Sequence, residues 1–403
     1  MMAKIAHQDT WISSMIEAPQ DTHLEVITKF AATREKHPKA AQFALQAVAR
    51  ELLGDSRLKI CYRYRVPERE VEIWHNQKRQ SAYYTGLMKC GLQWVCPLCS
   101  SRLSEKRREM VRYALDESSE RFIPVMATYT VQHNAGDRLA ALLDGMLAAY
   151  RWMRKNRGWR LLKEEYTIIG ECRAVEITHG NSGWHPHFHV LMFLDIAQMP
   201  YFLVDGAYRM ESILYEPLRK HISREWIAAL QKHQLAALDG VAVKVTGDWS
   251  TLDVYLTKSG TALPALANGW GVAEELTKSQ RKRPELGGIN VWDMLLLHYA
   301  GYGLYGSLFL EYFRATKGKS MLQWSPGMLG KFEIEAKTDD QLLDSDPEPG
   351  DILLLALSSD QWRQVLDAGA EGALLDAAAS GDYVKVDTFL SKLAVSKVPE
   401  LTH

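Results

Sequence analysis

Cysteine is scarce in this chain, five among 403 residues. That is too few for a disulfide-built scaffold. Long apolar runs are missing as well. The stretch Ile352 to Leu357 is among the longest aliphatic runs, far short of the roughly 20 residues that cross a bilayer. Met1 to Trp11 contains no apolar core of an export signal. These absences predict a cytoplasmic protein, with no membrane partner, whose thiols stay reduced or bind metal. Glycine and proline, at 27 and 14, are too few for collagen-like or low-complexity chains, and 47% hydrophobic residues exclude wholesale disorder. Net charge is nearly absent too, at −1. Taken alone that argues against a polyanionic partner.

The total hides an asymmetry. From Glu333 onward there are 15 acidic and 5 basic residues, leaving 43 basic against 34 acidic before it. The first four-fifths of the chain is therefore basic enough to sit on nucleic acid. Organisation follows the same break. Residues 1–55 are expected to form an N-terminal helical extension, and 56–118 a cysteine-bearing segment with a helix. Residues 119–332 alternate strands and helices in an α+β pattern. Residues 333–403 read as an acidic linker and a small helical tail. On the helix from Ser100 to Ser118, the run Glu105-Lys106-Arg107-Arg108-Glu109 is expected on the exposed side.

Four of the cysteines fall at Cys61, Cys90, Cys96 and Cys99. Cys96-Pro97-Leu98-Cys99 is a CxxC knuckle, which brings two thiolates onto one cation. Tetrahedral zinc then needs two more ligands from nearby chain, and Cys90 and Cys61 supply them. A redox CxxC would need a βαβ context, which the pattern lacks. Cys172, within a predicted strand, reads as a core residue.

Trp184-His185-Pro186-His187-Phe188-His189-Val190 is the most informative stretch. Alternation along a strand puts His185, His187 and His189 on one face and Phe188 and Val190 on the other. The strand candidates Arg173 to Thr178 and Phe188 to Phe193 flank a turn-rich segment and read as a hairpin. A turn centred near Asn181 and Ser182 would set Glu176 opposite His187. One carboxylate and two imidazoles then converge, leaving open positions on a divalent metal for phosphate oxygens and water. Further on, Tyr255 and Lys258 lie three residues apart on a predicted helix and share a face. A phenol with a reference pKa near 10 needs a cation or a base to act as a nucleophile at neutral pH. Most such pairs are only structural.

Together these segments resemble the initiators of rolling-circle plasmid replication in the HUH endonuclease superfamily. His187-Phe188-His189 matches the His-hydrophobic-His motif, and Gly183 to Leu191 is similar to initiator sequences around it. Val254-Tyr255-Leu256-Thr257-Lys258 resembles the tyrosine motif, in the expected order after the histidines. Ala127-Thr128-Tyr129-Thr130-Val131 resembles the first motif. Cys90 to Cys99 resembles the cysteine segment of many members. Glu311-Tyr312 through Gly318, and Trp324-Ser325-Pro326-Gly327, also have the family's look. The likeness spans roughly residues 60–330.

The resemblance implies a fold built on a central antiparallel sheet flanked by helices, with the histidines on a central strand and the zinc-binding segment N-terminal to it. It also implies a metal-dependent nicking and joining enzyme. Mg2+ or Mn2+ on His187, His189 and Glu176 would polarise a phosphate of origin DNA, single-stranded or cruciform. Tyr255, with Lys258 beside it, would attack that phosphate, leaving a 5′-phosphotyrosine and a 3′-OH that host helicase and polymerase extend. One departure stands out. Where related initiators carry a Glu one turn before the nucleophile, this chain has Thr251; Tyr299, Tyr302 and Tyr305 are candidates for a second nucleophile. Phosphate contacts are expected from Arg102, Arg107, Arg108, Arg154, Lys155, Arg281 and Arg283, with Trp152 and Trp159 stacking on bases. A transposase of the same superfamily, or a zinc-dependent DNA-binding regulator without catalysis, would share parts of this pattern.

Overall fold

The computed structural model describes residues 22–118, 121–195, 212–246, 277, 288–344 and 347–395. Tyr255, Lys258, Thr251, Arg281 and Arg283 lie outside the described residues. The chain divides into two compact units. One holds the N-terminal segment to Leu103 with residues 292–310 and the C-terminal segment from Thr338; the other holds Ser104–Val291 and Glu311–Lys337. No helix among the described residues is long and apolar enough to cross a membrane.

The second unit is built on a five-stranded sheet. Its strands are β3 (Phe122–Tyr129), β4 (Ile168–Gly180), β5 (Gly183–Asp195), β6 (Val243–Thr246) and β7 (Leu322–Trp324). They lie in the order β6-β3-β5-β4-β7, with every pairing antiparallel. The α+β class and the central place of the histidine strand are as the sequence predicts. β4 and β5 form one hairpin of 13 residues each, longer than the predicted strands. Its register pairs Glu176 with His187 and Gly180 with Gly183. Asn181 and Ser182 make the turn without left-handed backbone. Gly183 takes that conformation instead, at φ +87, and a Cβ there would lie 2.8 Å from Ala135 Cα. Among the described residues, Pro186 falls where β5 has a strand on one side only, past the last β3 pair Tyr129–Phe188. A missing N–H donor is tolerated in such a place.

The two faces of this sheet differ. Tyr129 and Phe188 point to the face covered by Tyr150 and Trp226, with ring centroids 5.3–5.8 Å apart for the pairs Tyr129–Tyr150, Tyr129–Trp226 and Tyr150–Phe188. Each fully buried apolar side chain there contributes about 1.5–3 kcal/mol. On the other face Cys172, Leu191 and Phe193 pack against Val111, Ala114 and Phe332. The histidines share this second face, farther along β5.

In the first unit, α1 (His23–Lys36) and α2 (Pro38–Leu53) precede a small antiparallel sheet, β2 (Ser81–Thr85), β1 (Val71–Asn76) and β8 (Ile352–Leu357), in that order. The C-terminal segment is thus more than a linker and helical tail. Its aliphatic run pairs with β1, because β1 offers a free edge that six apolar residues can cover. The helices after β8 are integrated too. Helix Glu371–Ala378 brings Asp376 to the start of α2, where the carboxylate accepts from the N–H groups of Lys39 and Ala40 at 2.9 Å each. Those are donors that an α-helix leaves unpaired. Gly372 sits so close to α2 that a Cβ would lie 2.5 Å from Ala40 Cα.

Gly372→Ala is therefore expected to push two backbones apart and cost about 1–3 kcal/mol. Gly330→Ala, which meets nothing within 4 Å, should stay within about 0.5 kcal/mol of wild type. Chemical denaturation of the two variants checks both expectations.

Candidate metal centres and nucleic-acid interface

The four predicted cysteines come together. Cys61 follows a short 3-10 turn (Arg57–Ile60), Cys90 precedes Gly91 at φ +67, and Cys96 and Cys99 bracket the start of the helix Pro97–Ser118. All four are fully buried, and their ligand atoms lie within 4.8 Å of one another. The Sγ separations are 3.8 Å for Cys61–Cys96 and 3.6 Å for Cys61–Cys99 and Cys90–Cys99. A tetrahedron with Zn–S bonds of about 2.3 Å has edges of about 3.8 Å, so this group could bind zinc. Hydrogen bonds among the thiols, led by Cys90, and burial push Cys61 well above the ordinary thiol range. A cation would reverse that by binding the thiolates. Sequence reasoning missed Gln46, whose Nε2 lies 3.4 Å from Cys96 Sγ, and Arg50, which donates to Gln46 Oε1 at 2.7 Å. An amide on a metal-ligating sulfur has no sequence signature. Cys172 is buried in the other unit's core.

On β5 the alternation holds. His189 and Glu176 are buried, at 6% and 8% exposure, and His189 Nε2 lies 2.7 Å from Glu176 Oε2. His189 Nδ1 is 3.1 Å from Thr128 Oγ1. His185 and His187 stack at 4.1 Å between centroids, and His187 and His189 at 6.3 Å. Burial, then neighbouring His133, lowers the His185 pKa. His133 extends the row, 4.5 Å from His185, and donates from Nδ1 to Ser182 O at 3.0 Å. No local signal announces it, 52 residues upstream of His185. The donor set of one carboxylate and two imidazoles suits a hard or borderline divalent cation. As placed, though, its ligand atoms are not gathered like those of the four cysteines, the one such group among the described residues. Lys244 is exposed and pairs with Thr128, so it shares the histidine face.

The basic candidates divide. Arg107 is buried at 7% exposure, which corrects its reading as an exposed phosphate contact: the helix turns that position inward. Arg108 pairs with Glu105 on the same helix, and the Arg102 guanidinium lies 5.3 Å from the Tyr83 ring centre. Arg154 is ion-paired to buried Glu171 at 2.8 Å. Lys155 is exposed together with Arg151, Arg157 and Arg160. Trp152 is 37% exposed beside them, whereas Trp159, at 1%, is a core residue and not a stacking platform. Tyr302 and Tyr305 pack edge-on against His23, and the Tyr305 hydroxyl bonds its Nδ1 at 3.0 Å.

Residues 88–208 match the family described as "Replication protein" (Rep_1). Over that segment the chain is similar to Rep replication proteins. Among relatives, "Protein rep" of Streptomyces lividans is 26% identical over 74% of this chain and 79% of its own length. The "Neomycin resistance protein" of Streptomyces cyanogenus is 30% identical over 28% of this chain and 32% of its own. "Protein rep" of Bacillus amyloliquefaciens is 29% identical over 24% and 29%. No solved structure matches. The matched segment holds Cys90, Cys96 and Cys99, the stretch Ala127 to Val131 and the whole histidine hairpin, while Cys61 precedes it.

Metal analysis of protein purified without chelator is expected to give one zinc per chain. Cys61→Ser should lower that value to well below half, and Cys172→Ser should leave it unchanged.

Proposed function

We propose that this protein initiates rolling-circle plasmid replication by nicking one strand of the double-strand origin and later rejoining it. The observation that carries the reading is the β4–β5 register, which sets Glu176 opposite His187 and against His189 on one sheet face. Thr128 of the first motif borders the same place.

In this reading His187, His189 and Glu176 hold Mg2+ or Mn2+, with His187 turning toward the pair that Glu176 and His189 already form. The ion, when bound, withdraws charge from the scissile phosphate. Tyr255 Oη attacks phosphorus, the P–O3′ bond breaks, and the products are a 5′-phosphotyrosine and a free 3′-OH. The phosphodiester's energy is kept in the tyrosyl ester, so the same step run backward rejoins a strand. Lys258 offsets the phenolate charge. The chain leaves β6 at Thr246, nine residues before Tyr255, and nine residues can span up to about 30 Å. Nothing in that length prevents Tyr255 from reaching the histidine face.

The exposed cations Arg151, Lys155, Arg157 and Arg160, with Trp152 among them, suit contact with the phosphates and bases of origin DNA. Host helicase and polymerase would take over at the 3′-OH. The four-cysteine group, in this reading, holds structural Zn2+.

The test is incubation with supercoiled cognate plasmid and Mn2+. Wild type is expected to give an SDS-stable protein–DNA adduct and nicked circles, and Tyr255→Phe at least about 100-fold less of both. Equal adduct from the two would overturn the nucleophile assignment. No adduct from either, on verified origin DNA, would instead favour a DNA-binding regulator without catalysis.

A further inference from the structure

We propose that Thr128 is a positioning residue of the histidine site: its hydroxyl fixes the ring of His189 so that Nε2 faces the metal. The inference rests on the reading of Glu176, His187 and His189 as metal ligands.

The first motif sits on β3, and strand alternation divides its residues. Ala127 and Tyr129 are fully buried, and Tyr129 lies in the aromatic core. The Thr130 hydroxyl donates to the Val241 carbonyl at 2.9 Å. Thr128 is left on the histidine face, half-buried and directly opposite His189 in the β3–β5 register. Its Oγ1 meets His189 Nδ1 at 3.1 Å while Glu176, from the strand on the other side, meets Nε2 at 2.7 Å. The imidazole is therefore gripped at both nitrogens, by two different strands. Turning the ring over would break both contacts.

A hydroxyl is suited to the Nδ1 side for a chemical reason. With Nε2–H donating to Glu176, the neutral ring has a bare Nδ1, which accepts the Thr128 O–H. A ring whose Nε2 lone pair binds a cation carries its proton on Nδ1, which donates to Oγ1. One group serves both arrangements, because a hydroxyl both donates and accepts. Partners of this kind orient ligating histidines, and their loss typically weakens metal binding about 10–100-fold. Thr128 touches neither phosphate nor nucleophile in this scheme, so its effect passes entirely through His189.

The experiment measures Mn2+ binding to the full chain without DNA, by electron paramagnetic resonance of the free ion. His189→Ala serves to identify the site. Thr128→Val keeps the branched shape a strand favours and removes the hydroxyl. It is expected to weaken binding at that site about 10–100-fold, with the metal-free melting temperature unchanged. Thr128→Ser should bind within about threefold of wild type. Should Thr128→Val melt early, Thr128→Ala replaces it with the same expectation. A hydroxyl-free variant that binds as wild type does, or a serine variant as weak as valine, overturns the role of Thr128. Wild type binding no better than His189→Ala overturns the metal reading itself, and this proposal with it.

Discussion

The register between β4 and β5 is the constraint on which both the core and the candidate site depend. Strand side chains alternate with period two, so a slip of one residue would exchange the faces of every residue on β5. Phe188 and Val190, both fully buried, would then leave their core for the face that holds Glu176. His187 and His189 would enter the layer of Tyr150 and Trp226. Burying unpartnered imidazoles there while exposing two large apolar groups would cost several kcal/mol. The aromatic packing on one face therefore fixes the polar geometry on the other. Gly183 reinforces the same register, since its left-handed backbone and close approach to Ala135 hold the turn at one position.

The other unit is tied by long-range contacts of a different kind. Its cysteines gather from Cys61 to Cys99, and its C-terminal segment returns to cover β1 and cap α2. This changes the meaning of the chain's acidic end. Asp351 accepts from Asn76 at 2.7 Å and from the Tyr83 hydroxyl at 2.6 Å, and Asp344 lies 3.0 Å from the Lys89 ammonium. Asp376 caps a helix. Several of the carboxylates that pull net charge to −1 are thus engaged inside the unit. A near-neutral total is compatible with a basic surface elsewhere, because the acidic excess is concentrated from Glu333 onward while the residues before it carry 43 basic against 34 acidic.

What could be read from sequence follows a physical line. The cysteine knuckle, the alternating histidines and the pairing of Glu176 with His187 were legible, because each depends on spacing within one strand or turn. Contacts made across the chain were not. Thr128 and His133 reach the histidine face only because β3 lies beside β5, and no local pattern announces that neighbour. The burial of Arg107 was hidden because a charged run on a helix looks solvated until the opposing layer is known. The strand at Ile352–Leu357 was read as part of a helical tail, since a short apolar run fits either element until β1 offers it an edge.

Two buried carboxylates on β4 differ in how their charge is compensated. Glu171 and Glu176 lie on opposite faces of one strand, at 3% and 8% exposure. Glu171 has a fixed cation, Arg154 at 2.8 Å, and a hydrogen bond from the Tyr150 hydroxyl. Burial still raises its pKa against the pull of Arg154. It is compensated permanently, as a structural carboxylate must be. Glu176 has His189 as its ion-pair partner among the described residues, and an imidazole carries a full charge only when protonated. The fold thus gives one carboxylate an arginine and a phenol hydroxyl and sets the other against an imidazole on the face lined by histidines. The two environments differ in kind: burial opposes the Glu171 charge despite a permanent cation beside it, whereas the Glu176 carboxylate shares its imidazole partner with the Thr128 hydroxyl.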